Sequence, residues 1–190
     1  MIFRWAIFLS SFTMMAQNLP FSEIPIPPNS LNGNTSISRL IEGLGFRYYW
    51  ATEGLLDTDL NYRPTPEAQS ALETLSHIYS LSEVIKKTIE GQIVDRSSSS
   101  IPTTFEYLRK ETLENLQVAT QILRRMQKKE LKELKIRFLR EGQTTEFAIW
   151  NLINGPISDA IYHTGQVVSF RRTAGNPIPK GVNVFLGIKQ

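Results

Sequence analysis

Apolar residues recur three and four positions apart in four long stretches of the chain, and each stretch predicts an amphipathic helix. The first stretch, from about Ser36 to Leu55, sets Ile37, Leu40, Ile41, Leu44, Tyr48, Ala51 and Leu55 on one face. Gly43 and Gly45 either weaken this helix or let another helix approach closely. The second stretch uses Leu72, Leu75, Ile78, Leu81, Val84, Ile85 and Ile89. Ser70 and Glu73 have capping-box spacing at its start, and Gly91 is a plausible stop. The third stretch begins near Thr103 or Thr104 and carries a heptad-like seam of Phe105, Leu108, Thr112, Leu116, Ala119, Leu123 and Met126. Thr103 and Glu106 again have capping-box spacing, and the helix ends between Gln127 and Leu134. The fourth stretch takes Thr145 as its cap and runs to about Ala174, with Gly175 as a left-handed end and Pro177 just beyond. Its seam is Ile149, Leu152, Pro156, Asp159, His163, Val167 and Phe170. Gly155-Pro156 in its middle predicts a kink or break, because proline lacks a backbone donor and clashes with the preceding turn.

Between these helices the pattern lapses. Residues 17–35 hold four prolines with Asn and Ser, an extended leader that wraps onto the bundle through Phe21, Ile24 and Ile26. Residues 56–69 form a connection stiffened by Arg63-Pro64-Thr65-Pro66, and residues 92–102, with Ser97 to Ser100, read as a flexible linker. The alternation Leu134-Lys135-Ile136-Arg137-Phe138 predicts a short extended segment across the bundle end, and Gly142 to Thr144 breaks the chain again. The tail offers Val184, Phe185, Leu186 and Ile188 as a closing strap. With no convincing sheet and no internal repeat, the expected class is all-α, a four-helix bundle over residues 36–190.

The N-terminus is different in kind. Arg4 precedes an uncharged apolar run from Trp5 to Ala16, too short for a bilayer span of about 20 residues. It matches a secretory signal peptide over residues 1–16 with cleavage after Ala16, so an exported, periplasmic or secreted product is expected. The alternative is an apolar N-terminal helix of the mature fold. No later segment is long and apolar enough for a span, so no stable membrane anchor is expected.

Composition narrows the chemistry. A chain of 190 residues suffices for one ordinary domain. A formal net charge of +3, with no basic patch interleaved with aromatics, argues against nucleic acid as a partner. Zero cysteines exclude disulfides, thiolate metal sites and cysteine nucleophiles. There are two histidines, so any imidazole chemistry must use His77 or His163.

Both histidines fall on core-facing stripes. His77 lies in line with Thr74, Leu81, Val84 and Thr88, while Asp159 and His163 are one turn apart on the fourth seam, with Gln166 bordering them. An unpaired Asp159 on an inward face would be expensive. A divalent cation held by His77, Asp159 and His163 removes that cost, and the two-His, one-carboxylate set suits Zn, Ni, Fe or Mn while leaving positions open for water or substrate. The plainer alternatives are an Asp–His ion pair on one helix and a hydrogen-bonded core histidine. Glu73, one turn before His77, is either a partner or base for the site or simply a capping residue. Tyr48, Tyr49, Trp50 and Tyr162 line the entrance or the core.

The block Ser70 to Ile78, with its His77, and the block Gly155-Pro156-Ile157-Ser158-Asp159-Ala160-Ile161-Tyr162-His163-Thr164-Gly165-Gln166, followed by Arg171-Arg172-Thr173-Ala174-Gly175-Asn176-Pro177, resemble the DinB-like superfamily over roughly residues 36–180. Arg63-Pro64 before the second helix fits as well, and His-x-Gly-Gln late in the last long helix is a family hallmark. The resemblance implies a four-helix bundle of DinB/YfiT type with one metal ligand from the second helix and two, four residues apart, from the fourth. By position these are His77, Asp159 and His163. The family pattern has three histidines, so Asp159 changes the charge and the metal preference of the set. The family includes thiol-dependent transferases and isomerases, metal-dependent hydrolases and members without known activity, and its bundles often pair, which implies a homodimer. An exported location sits badly with a cytosolic thiol, so the expectation is hydrolysis of a small-molecule substrate, or a non-catalytic bundle with a structural or vestigial metal site.

Overall fold

The computed structural model describes residues 19–97 and 104–190. The signal-peptide segment and Thr103 lie outside the described residues. Four long helices, α1 (Gly33–Thr52), α3 (Ala71–Ile89), α4 (Phe105–Arg125) and α7 (Ser158–Thr173), surround one core. The order around that core is cyclic, because α1 and α3 each pack against both α4 and α7. Ile41, Leu44, Tyr48, Leu75, Ile78, Ile85, Leu108, Leu116 and Leu123 are fully buried at its centre. Each such side chain contributes about 1.5–3 kcal/mol relative to exposure.

Helix starts follow side-chain chemistry. In α1, Asn32 caps, accepting from the backbone N–H of Asn34 and Thr35, while Thr35 Oγ1 accepts from the N–H of Asn32. The helix therefore begins three residues before the expected Ser36, and it ends at Thr52 rather than Leu55. The Ser70–Glu73 capping box forms on α3 as expected. Gly91 follows α3 with φ of 69°, a left-handed stop.

The protein is mostly helical but not all-α, which corrects the expected class. A three-stranded sheet, in the order β1 (Val94–Asp95), β2 (Lys135–Arg140), β3 (Gln143–Ala148), closes one end of α3. β1 runs parallel to β2 with Val94 opposite Phe138, so the expected linker of residues 92–102 contributes a strand. β2 and β3 form an antiparallel hairpin in which Lys135 faces Ala148 and Arg140 faces Gln143. Its two-residue turn, Glu141-Gly142, has φ of 51° and 75°, the left-handed pair that matches the twist of a tight hairpin. Thr145 sits opposite Phe138 in β3 and caps nothing. Threonine and phenylalanine in Gln143–Ala148 favour the pleated backbone over helix, and every residue of β3 is exposed, so no apolar periodicity announced it. Two short helices, α2 (Asp57–Leu60) and α5 (Lys128–Glu133), fill connections.

The last helical stretch begins with α6 (Trp150–Leu152) and passes through a π-helical turn, Ile153–Ile157, into α7. Gly155 has φ −95° and ψ −107° there, beside Pro156, so the expected kink is present. The turn accommodates an extra residue. The buried series runs Leu152, Ile157, Ala160, Thr164, Val167, Arg171, stepping five residues across the turn and three or four afterwards. The seam expected from uninterrupted 3.6-residue periodicity is thereby rotated. Asp159 and His163 lie beside the buried face of α7, not within it.

The leader wraps α1 as expected, but Phe21 is its anchor. Phe21 is buried with its ring against Gly45, where a Cβ would come within 2.6 Å of it. Trp50 Nε1 donates to the Ser22 carbonyl, and the Ile24 N–H donates to the Gly187 carbonyl of the tail. Arg39 and Arg124 reach the carbonyls of Pro25 and Ile26 while both engage the buried carboxylate of Glu42. Ile26 itself is exposed, and so are Val184, Phe185 and Leu186 at the tip of the β4 (Val182–Asn183) and β5 (Ile188–Lys189) hairpin, so the apolar strap expected there does not form. Among the described residues no helix is long and apolar enough to cross a membrane.

Candidate metal centre

α3 and α7 lie side by side, and their packing sets His77 against the first turns of α7. His77 Nε2 is 3.2 Å from Asp159 Oδ2, and His163 Nε2 is 3.3 Å from Asp159 Oδ1. The two imidazole rings meet edge to face with centroids 4.7 Å apart. One donor atom from each of the three residues falls within 4.8 Å of the other two. The side chains of His77 and Asp159 are 42% exposed and that of His163 is 17% exposed, so the cluster opens to solvent on one side.

The hydrogen bond behind His163 sets its tautomer. Gln166 presents Oε1 to His163 Nδ1 at 2.7 Å. An amide oxygen only accepts, so Nδ1 carries a proton and donates to it, which holds the ring with Nε2 toward Asp159. Nε2 and the carboxylate oxygen stand 3.3 Å apart, close enough for an ion pair or for two ligands of one cation. For bonds of about 2.0–2.1 Å in a tetrahedral shell, neighbouring donors stand about 3.3 Å apart. Each histidine stands at that spacing from one oxygen of Asp159, His77 from Oδ2 and His163 from Oδ1, and the donor set is one a divalent transition metal accepts.

Of the other residues singled out in the sequence, Tyr162 is exposed with its ring centroid 5.3 Å from that of His163, at the open side. Glu73 is committed elsewhere. Its carboxylate closes the α3 capping box and takes a two-pronged contact from Arg63 at 2.8 and 3.0 Å. The Arg63 hydrogen bond, then the Ser70 backbone N–H, hold its pKa down at about 2. Tyr48 is buried in the core, and Trp50 lies on the leader side of α1.

Comparison with protein families, curated proteins and solved structures finds no match for this chain. The site therefore stands on its own geometry.

One residue near the centre had no sequence signal as a structural element. Arg171, on the buried face of α7, is 2% exposed and donates to the carbonyls of Trp50, Ala51 and Glu53 at the C-terminus of α1 and to Asn176. Asn176 in turn donates to the Gly54 carbonyl and to Asp59. A cation at a helix C-terminus satisfies carbonyls that have no intrahelical donor. This clamp fixes α7 relative to α1 two turns below His163. A buried arginine in Arg171-Arg172 looks like a solvated pair until the rotated seam is known.

Proposed function

We propose that this protein is a DinB-like, exported metal-binding protein that holds a divalent transition metal through His77, Asp159 and His163 and uses it in hydrolysis of a small-molecule substrate. The observation that carries the reading is the convergence of both histidines of the chain on one carboxylate, with Gln166 orienting His163 to present Nε2. The sequence blocks around His77 and His163 support the family assignment, and the apolar run before Gln17 supports export. When bound, such an ion supplies Lewis acidity and lowers the pKa of a coordinated water. The residues themselves hold and orient the ion: α3 contributes one ligand, α7 two, and Gln166 fixes a ring. The solvent-facing side of the cluster, flanked by Tyr162, is where substrate enters.

A second reading is favoured by Glu73. Its capture by Arg63 leaves no carboxylate other than Asp159 at the cluster among the described residues, so no dedicated general base stands by. In that reading the metal joins α3 to α7 and does no chemistry. Calorimetric titration with Zn, Ni and Mn, on wild type and on His77→Ala and His163→Ala, separates metal binding from its absence. An ester, amide and thiol-transfer panel on the metal-loaded protein then separates the readings. Turnover lost in both variants supports the hydrolase. Binding without turnover, accompanied by a raised melting temperature, supports the structural clip.

A further inference from the structure

A large cavity lies away from the histidines. A groove of about 640 Å³ lies between the start of α1, α5, the ends of the β2–β3 hairpin and α6. Ligand pockets run from about 300 to 1,000 Å³. Ile37, Leu40, Leu131, Leu134, Ile149 and Trp150 make its walls apolar. Leu40 is 43% exposed and Trp150 74% exposed, so two large apolar side chains stand open to solvent beside one another's groove wall. Exposed apolar surface gathered around a concavity marks a binding surface more than a chance residue does.

Two further observations specify the ligand. Lys132 and Lys135 line the groove and no acidic side chain is among the described residues that line it. Asn34, also on the groove wall, is 3% exposed; its Nδ2 donates to the Met126 carbonyl at 2.6 Å, while its Oδ1 has no donor. A buried acceptor without a partner costs about 1–3 kcal/mol, and a shift of Asn34 that opens Oδ1 to the groove lets a ligand N–H remove that cost.

We propose that this groove binds an N-acyl amino acid: the acyl chain between Leu40, Leu134 and Trp150, the amide N–H toward Asn34, and the carboxylate on Lys132 and Lys135. This site is separate from the metal cluster and requires none of its residues. It does abut the π-helical turn, because Ile153 both lines the groove and begins that turn.

The test uses the full chain with N-dodecanoylglycine, dodecanoate and dodecylammonium, followed by calorimetry. Binding strongest for N-dodecanoylglycine is expected, with dodecylammonium at least tenfold weaker. Lys132→Glu with Lys135→Glu weakens N-dodecanoylglycine tenfold or more and reverses the preference between anion and cation. Leu40→Asp, a change at an exposed position that leaves the core intact, abolishes binding of all three. His77→Ala leaves every affinity unchanged. Equal affinity for the three probes, or binding that survives Leu40→Asp, overturns the proposal. A dimer that Leu40→Asp dissociates, together with no binding of any probe, assigns the face to a second copy and also overturns it.

Discussion

Gln166 decides which nitrogen of His163 faces the cluster, so its effect belongs to single atoms. Gln166→Leu keeps the bulk of the side chain and removes the acceptor behind Nδ1. Partners of this kind typically change metal affinity about 10–100-fold. A calorimetric loss of that size, with the melting temperature of the metal-free protein unchanged, is the expected result. Glu73 makes a separate prediction at the same scale. Its pKa is held at about 2, below the ordinary 4.5, chiefly by Arg63. A depressed folded pKa contributes stability above the unfolded value, and that stability is lost as pH falls through the folded value. Wild type therefore melts higher than Glu73→Gln at pH 5, and the difference shrinks as pH approaches about 2. Thermal melts between those limits check it. The residues of the cluster were legible in the sequence, since a chain with two histidines, one of them a helical turn from an aspartate, offers few other sites. Arg63 as the partner of Glu73, ten residues away across a proline-rich loop, was not legible.

At the scale of elements, the π-helical turn is what separates sequence expectation from structure. Periodicity read straight through Gly155-Pro156 puts Asp159 and His163 in the seam. The extra residue turns α7 so that Ala160, Thr164 and Val167 take the core and the ligands move to its flank. Deleting Gly155 removes the non-helical residue at the kink and turns the downstream helix relative to Leu152. Metal binding is expected to disappear in that variant, while far-ultraviolet dichroism stays near wild type. Four helices, their order and the α3 cap were legible because burial imposes period and caps impose side-chain chemistry. The β2–β3 hairpin was half legible. The alternation in β2 was visible, but the fully exposed β3 carries no apolar period, and a non-glycine residue, Glu141, takes a left-handed position in its turn. Gly45 was noted as a point of close approach, and the approaching group is Phe21 of the leader rather than a helix. Gly45→Ala places a methyl within 2.6 Å of that ring. A loss of about 1–3 kcal/mol is expected by urea denaturation, the usual cost of overpacking.

Across the whole molecule, the His77–Asp159–His163 cluster links α3 to α7, and Arg171 links α1 to α7. Removing the guanidinium by Arg171→Met strands several buried carbonyls, and a loss of about 3 kcal/mol is expected. Because α7 carries two of the three ligands, metal affinity falls in the same variant, whereas metal binding in turn raises its melting temperature by mass action. The proposed metal site depends on Asp159 completing the donor set with His77 and His163. Cobalt(II) titration, followed through the visible absorption of the bound ion, tests this directly. One cobalt per chain is expected in wild type, with loss of the absorption in Asp159→Asn as well as in His77→Ala and His163→Ala. Absorption that persists undiminished in Asp159→Asn, or that never develops in wild type, would contradict it.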